Sequence, residues 1–378
     1  MNIILSIVVP TKNRISYLKY IIDYFAEIAD TDVELVIQDN SDKTTADELQ
    51  EYLGKVEDQR VIYKHSDKSL SQKENCDLAI HQANGYYVLM LGDDDIFSKH
   101  LIEYCRVWRE RKIDAVLTKR PVYIWPDVTP RLYKSKLSST FQLPRYTSKE
   151  TLFDLDALKR KFINSGGVEI GDMPRVYHGV AAKDSLSEIY KVTGSYCPGP
   201  SPDIANAISL LYTVKSFLYV DLPLVVSGQC IKSAAGKGSQ GEHYEEIESV
   251  KQLPKNQSSK WFKHIPFYWS GKTIYAQSSV EALINLKLQH IADTLNREYL
   301  LASCLVFDSK YLERIMKCVR LNGLGNLPKI MFYYSCIWSN RLSVHIFRAF
   351  KPKDEVSKIQ KINNIRDVID IIDTNIQP

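Results

Sequence analysis

Residues 86–95 read YYVLMLGDDD, an apolar and aromatic run that ends, after one glycine, in three consecutive aspartates. An apolar run without polar alternation is what a strand covered on both faces requires, as in a parallel sheet flanked by helices. Three carboxylates at such a strand end repel one another unless a cation or hydrogen-bond donors compensate. A hard divalent ion, which takes oxygen ligands and bridges carboxylates to substrate phosphates, is one such compensation. The plainer alternative is that the aspartates cap the helix beginning near Ser98 or solvate a turn.

The same pattern recurs upstream, where LSIVVP (residues 5–10) and VELVIQ (33–38) are also apolar without clean alternation. Short β-branched runs alternate with amphipathic stretches: Leu5–Val9 then 16–29, Val33–Ile37 then 43–53, Val61–Tyr63 then 71–83, Tyr86–Leu91 then 98–110. That βαβα rhythm predicts an open, doubly wound α/β sheet of the Rossmann-like kind. Ligands of such sheets lie beyond the carboxyl ends of the strands, which singles out Thr11–Arg14, Asp39–Asp42 and Gly92–Asp95. Asp39 offers a carboxylate to a base, and the small polar residues after it suit a helix cap.

Prolines 121, 126, 130 and 144 among aromatic residues mark 119–148 as an irregular hairpin insertion. Helices are predicted over 149–163 and 183–192, with a third from Pro202 or Asp203, proline being suited to a first helical turn. Strands follow at Phe217–Val220 and Leu224–Val226. Residues 227–259 are polar and contain Gly228, Gly236, Gly238 and Gly241, as in a mobile loop; Lys232, Ser233 and Lys237 are candidates to close over a diphosphate, a solvated loop without function being the equal alternative. Beyond Trp261 the pattern is helical, over 278–290, 296–307, 309–321, 329–350 and 354–373, with no strand signal. The expected organisation is a catalytic domain over 1–260 and a helical C-terminal domain over 261–378. Within the first, 1–118 form a nucleotide-binding half, 119–226 an acceptor half and 227–260 the loop.

Composition excludes disorder, since 44% of the 378 residues are hydrophobic and 25% charged. Seven scattered cysteines without a CxxC pair argue against a disulfide framework or zinc site and for a reducing, cytoplasmic setting. The run Ile3–Val9 lacks a basic leader and reads as a strand rather than a signal peptide. The net charge of +4 conceals a segregation: residues 309–353 hold nine Lys/Arg against Glu313 alone, leaving the remainder at −4. On a helix over 329–350, Trp338, Leu342, Ile346, Ala349 and Phe350 share one face and Arg341, His345 and Arg348 another. Such a helix suits the surface of an anionic membrane, on its inner face, and is too interrupted to span one. No nucleic-acid motif accompanies the basic segment.

Together these residues resemble the inverting glycosyltransferases of family 2, which have the GT-A fold. Leu5–Arg14 is similar to the family's opening strand, and the Asp39 turn and aspartate cluster follow in the family's order. The resemblance covers roughly residues 3–230 and implies a GT-A catalytic domain that binds a pyrimidine nucleotide-diphosphate sugar, UDP-linked by expectation. Pro10 and Thr11 would line the base pocket with Arg14 near it, and Asp39 would accept the N3–H of uracil or thymine. The string GDDD leaves the register open; Asp93 is assigned to the ribose and Asp94 to Mn²⁺ or Mg²⁺, with Asp95 as an alternative ligand. Lys73 and Asn75 in SQKENCDLAIHQANG (71–85) would approach the nucleotide, an amphipathic helix being the equal alternative. Cys197–Asp203 resembles the turn that presents the catalytic base, which makes Asp203 the candidate general base. His178 and His243 stand outside the metal set, lone histidines being more often structural. By analogy with family members that build surface polysaccharides, the acceptor is a glycan or a polyprenyl-linked glycan, and nucleic acid is not a partner. The competing functions are a transferase-like membrane-binding protein without activity and a sugar nucleotidyltransferase; Thr11–Arg14 lacks the glycine-rich loop of the latter.

Overall fold

The computed structural model describes residues 3–128, 138–233, 245–350 and 356–376, with the backbone alone for 345–350. Its first half follows the expected rhythm: β1 (Leu5–Thr11), α1 (Ile15–Ala26), β2 (Val33–Asp39), α2 (Lys43–Val56), β3 (Val61–His65), α3 (Gln72–His81) and β4 (Tyr87–Met90). β5 (Ile96–Phe97), α4 (His100–Glu110), β6 (Ala115–Thr118), β7 (Val122–Ile124), β8 (Thr140–Pro144) and β9 (Glu150–Leu152) come next. The chain continues with α5 (Leu155–Asn164), β10 (Gly179–Ala182), α6 (Lys183–Thr193), α7 (Pro202–Thr213), β11 (Phe217–Val220) and β12 (Val225–Gln229). Among the described residues the strands form one sheet in the order β3-β2-β1-β4-β10-β6-β11-β9 and a second containing β8, β7, β12 and β5.

β1 pairs in parallel with β2 and β4, while β10 runs antiparallel between β4 and β6, giving the mixed α/β sheet of the GT-A fold. Pairing of β1 with β4 ends at Val8, so Pro10, which has no N–H to give, lies where only β2 is alongside. Every residue of β2 and β4 is buried, as their unbroken apolar runs require. Helix caps fix the boundaries. Asp42 accepts from Thr45 N–H at the head of α2, and Ser71 with Glu74 forms a capping box on α3.

Beyond these lie α8 (Gly271–Asn285), α9 (Gln289–Ala292), α10 (Arg297–Phe307), α11 (Leu312–Leu321), α12 (Leu327–Phe350), β13 (Val356–Gln360) and α13 (Ile365–Asn375). Two expectations are corrected. The helix placed over 149–163 is a short strand, β9, followed by α5, because Asp154 caps the backbone at Asp156 and Ala157 and starts the helix there. The helix placed over 354–373 is likewise a strand and a shorter helix. β13 pairs antiparallel with β8, and Asn364 caps α13 by accepting from Asp367 N–H. Ile365, Val368, Ile369 and Ile372 of α13 are buried in the same core as β1 and α1. The end of the chain thus returns to the N-terminal half. Residues 245–260, within the polar stretch read as a loop, pack Ile247, Val250 and Leu253 against Ile274 of α8. Lys237 and His243 lie outside the described residues. No helix among those described is long and apolar enough to cross a membrane.

Candidate active site

The turn after β1 sets the geometry. Asn13 adopts a left-handed conformation (φ 55°), for which asparagine is one of the few suitable non-glycine residues. Its N–H donates to Ser41 Oγ (2.7 Å), and its side-chain oxygen accepts from Asp42 N–H (3.0 Å), locking the turns after β1 and β2 together. Arg14 is thereby directed back across the strand ends. Its Nε lies 2.9 Å from Asp93 Oδ1 as an ion pair, and its Nη2 lies 2.8 Å from Asp94 Oδ1 and 3.0 Å from Cys230 Sγ. Burial works against the guanidinium charge, but Asp93 and Asp94 outweigh it and raise the Arg14 pKa above its ordinary value.

Each of the three aspartates is engaged on both oxygens. Asp93 also accepts from Thr11 Oγ1 (2.8 Å), and burial, opposed by Arg14 and reinforced by Asp94, pushes its carboxyl up to about 7. Asp94 accepts from Cys230 N–H (3.1 Å) and is likewise raised by burial against the pull of Arg14. Asp95 accepts from Gly92 N–H (2.7 Å), Gly228 N–H (2.8 Å) and His178 Nε2 (2.6 Å). Arg120 Nη1 donates to His178 Nδ1 (3.0 Å), which leaves the ring proton on Nε2, facing Asp95. The approach of β12 depends on Gly228, since a Cβ there would fall 1.7 Å from the carbonyl oxygen of Asp94.

As arranged, Asp94 and Asp95 suit protein donors rather than a divalent ion, and no group of three His, Cys, Asp or Glu side chains among the described residues could hold one. The compensation that the carboxylates demand comes from Arg14, His178 and backbone N–H groups.

The remaining expected residues fall around this centre. Asp39, fully buried at the end of β2, accepts from Ser41 N–H (2.8 Å) and Tyr63 Oη (3.1 Å). Asn75 Nδ2 donates to the carbonyl oxygen of Thr11 (3.2 Å), while its buried Oδ1 has no partner, an acceptor available to a ligand hydroxyl or N–H. Lys73 pairs with Asp77 (2.9 Å) instead of reaching the strand ends. Asp77 in turn accepts from Ser195 Oγ and from Tyr196 and Cys197 N–H, holding the turn that leads to α7. Lys232 is exposed, its Nζ 3.5 Å from the carbonyl oxygen of Asn13.

Asp203 sits in the first turn of α7, where Oδ1 accepts from Ser201 Oγ (2.5 Å) and Oδ2 from Tyr275 Oη (2.6 Å). Tyr177, beside the aspartate cluster, is raised well above its ordinary pKa by burial and by the charges of Asp95, Asp94 and Asp203. The charges of both carboxylate sites thus act on one tyrosine. His178, Arg120, Tyr177, Tyr275 and Arg175 were missed or set aside in the sequence. Each joins the site through long-range pairing, such as the Met90–Tyr177 bridge, that no local pattern announces.

The mixed α/β sheet with its aspartate cluster at the strand ends is of the GT-A type. Residues 6–160 match the family described as glycosyl transferase family 2. No curated protein matches the sequence. Among solved structures, S. aureus TarS 1–349 in complex with UDP-GlcNAc is similar at 14% identity over 88% of this chain and 87% of that one, TM-score 0.49. TarS itself aligns at 17% identity over 61% of this chain and 37% of that one, TM-score 0.42, so the match spans little more than a third of its length. The mannosyltransferase PcManGT of Pyrobaculum calidifontis, in complex with GDP-Man and Mn²⁺, aligns at 10% identity over 90% and 88%, TM-score 0.41. Every one of these scores lies below 0.5.

Proposed function

We propose that the protein transfers a sugar, with inversion, from a pyrimidine nucleotide-diphosphate donor of the UDP-sugar type to a hydroxyl of a glycan or polyprenyl-linked glycan. The observation that carries the proposal is the match of residues 6–160 to glycosyl transferase family 2, beside which Asp203 stands in the first turn of α7. Inverting transfer needs a base on the acceptor side and charge stabilisation on the departing diphosphate, on opposite sides of the sugar. In this scheme Asp203 removes the acceptor proton, oriented by Ser201 and Tyr275. Pro10, Thr11, Asp39 and Asn75 hold the nucleoside, with Asp93 near the ribose. Arg14 meets the diphosphate. The Mn²⁺ or Mg²⁺ implied by the family resemblance has no step here, because each Asp94 and Asp95 oxygen already has a protein donor.

We further propose that α12 rests on an anionic membrane surface, on its cytoplasmic side. Phe332, Trp338 and Leu342 are exposed along it, and the Arg341 guanidinium lies 4.8 Å from the centre of the Trp338 ring. That surface suits a lipid-linked acceptor.

A thermal-shift panel of UDP, dTDP, GDP and CMP with and without Mn²⁺, joined to a transfer assay on Asp203→Asn, tests the scheme. UDP or dTDP stabilises the wild type without added metal, and the variant keeps donor binding while losing turnover by about a hundredfold or more. No nucleotide response in any condition, or full turnover by Asp203→Asn, overturns it.

A further inference from the structure

We infer that the Tyr177 hydroxyl is a further group of the donor site, giving a hydrogen bond to the β-phosphate of the nucleotide diphosphate beside Asp94. The inference rests on the proposed transfer reaction and adds one residue to its donor side.

Tyr177 is fixed at the strand ends by its backbone. Met90, the last residue of β4, donates N–H to the carbonyl oxygen of Val176 (2.8 Å) and accepts from His178 N–H (3.1 Å), which clamps Tyr177 beside the strand two residues before Gly92. Neighbouring side chains of an extended chain point to opposite faces. His178 instead has a left-handed backbone (φ 60°), and its ring stacks on that of Tyr177, with centres 3.9 Å and planes 30° apart. His178 is held in turn by Asp95 (2.6 Å) and Arg120 (3.0 Å). The phenol is thus anchored through its backbone and along one ring face.

Its hydroxyl ends at Gly92. A Cβ at residue 92 would meet Asp95 Oδ2 at 3.0 Å, Asp94 Oδ1 at 3.1 Å and Tyr177 Oη at 3.5 Å, so these three oxygens border one space, left open because residue 92 has no side chain. Both carboxylate oxygens have donors: Gly92 N–H and His178 for Asp95, Arg14 Nη2 for Asp94. Tyr177 is half-buried, and among the described residues its hydroxyl has no hydrogen-bond partner. Burial, then the charges of Asp95, Asp94 and Asp203, hold the proton on the phenol, so the group is an O–H donor without an acceptor.

The neighbour sets what it meets. Arg14, the cation proposed for the diphosphate, bonds the same Asp94 oxygen that borders this space. A phosphate oxygen drawn to Arg14 beside Asp94 comes to the edge of that space, and a hydrogen bond to a charged oxygen is of the stronger kind. During transfer the bond between the anomeric carbon and the β-phosphate oxygen breaks with its electron pair on that oxygen. The acceptor oxygen bonds the carbon and gives its proton to Asp203. Tyr177 keeps its own proton and stabilises the charge that collects on the β-phosphate.

Tyr177→Phe removes the hydroxyl and keeps the ring that stacks on His178, so an unchanged thermal melt is expected. The full chain is titrated calorimetrically, without added metal, with UDP and UMP and in parallel with GDP and GMP, the monophosphates lacking the β-phosphate. The expected result is that the wild-type preference for diphosphate over monophosphate falls by about tenfold in the variant, with affinity for the monophosphate kept. A preference retained in full, or an equal loss for diphosphate and monophosphate, overturns the contact. A wild type that favours GDP over UDP corrects the base in the transferase scheme, and the same ratio then reads Tyr177 with the guanine pair. A wild type that binds none of the four overturns the contact and the scheme together.

Discussion

Replacing Arg14 by methionine keeps much of the packing of its stem but removes the cation shared by Asp93 and Asp94. Removing one partner of a buried ion pair costs about 3–5 kcal/mol, because the charge left behind is uncompensated. Here the orphaned groups can escape by taking up protons, so the cost depends on pH. In the wild type the Asp93 carboxyl is raised from 3.8 to about 7 by burial, against the opposing pull of Arg14. Between those values the folded chain holds a proton that the unfolded chain has released. Its contribution to stability is complete below the unfolded pKa and is lost as pH rises, at about 1.4 kcal/mol per unit, until the folded pKa is passed. Without Arg14 both Asp93 and Asp94 move further up, so the loss of stability with rising pH continues to higher pH than in the wild type. Arg14→Met is therefore expected to cost about 3–5 kcal/mol near pH 8 and about 1 kcal/mol near pH 5. Urea unfolding followed by tryptophan fluorescence at the two pH values measures both numbers. A penalty that is equal at both, or larger in acid, would refute Arg14 as the counter-charge of the cluster.

Two further outcomes follow from the geometry. Gly228→Ala must displace β12 from the Asp94 carbonyl and strain the N–H bonds that Gly228 and Cys230 make to Asp95 and Asp94; it is expected to lower stability by about 1–3 kcal/mol. Gly54→Ala in α2, where nothing lies within 4 Å, should gain about 0.5–1 kcal/mol, and equal melting shifts for the two would count against the close approach. On α12, the double change Phe332→Asp with Trp338→Asp is expected to weaken co-sedimentation with anionic phospholipid vesicles while leaving UDP binding unaltered; undiminished sedimentation removes the membrane role of that face.

The βαβα half was legible because each cue was local. Unbroken apolar runs identify strands buried on both faces, and Asp42 and Ser71 sit where caps are needed, so β1 to β4 and α1 to α4 appear in order with the strand ends in view, while the two-residue β5 does not. The C-terminal end was illegible for the opposite reason. Val356–Gln360 is a strand because β8 offers it an edge, a partner more than two hundred residues away. Only the Asn364 cap, three residues before Asp367, carried a local sign that the helix starts late.

The candidate site divides along the same line. Three adjacent carboxylates after a buried strand state a need for positive charge, and that need is readable from residues 92–95 alone. What meets it is not. Arg14 was expected near the base, yet Asn13 bends the chain at positive φ, with Ser41 and Asp42 bracing the bend, and so brings the guanidinium onto Asp93 and Asp94. His178 reaches Asp95 only because β10 inserts antiparallel beside β4, a topology set by the whole sheet. A divalent ion would have to compete with a tethered arginine whose effective concentration is fixed by the fold. A diphosphate, in contrast, can share Arg14 with Asp94, because a guanidinium has five donors and the carboxylates use only part of them. The identity of the counter-charge is thus decided by one asparagine's backbone conformation, two residues beyond the end of β1.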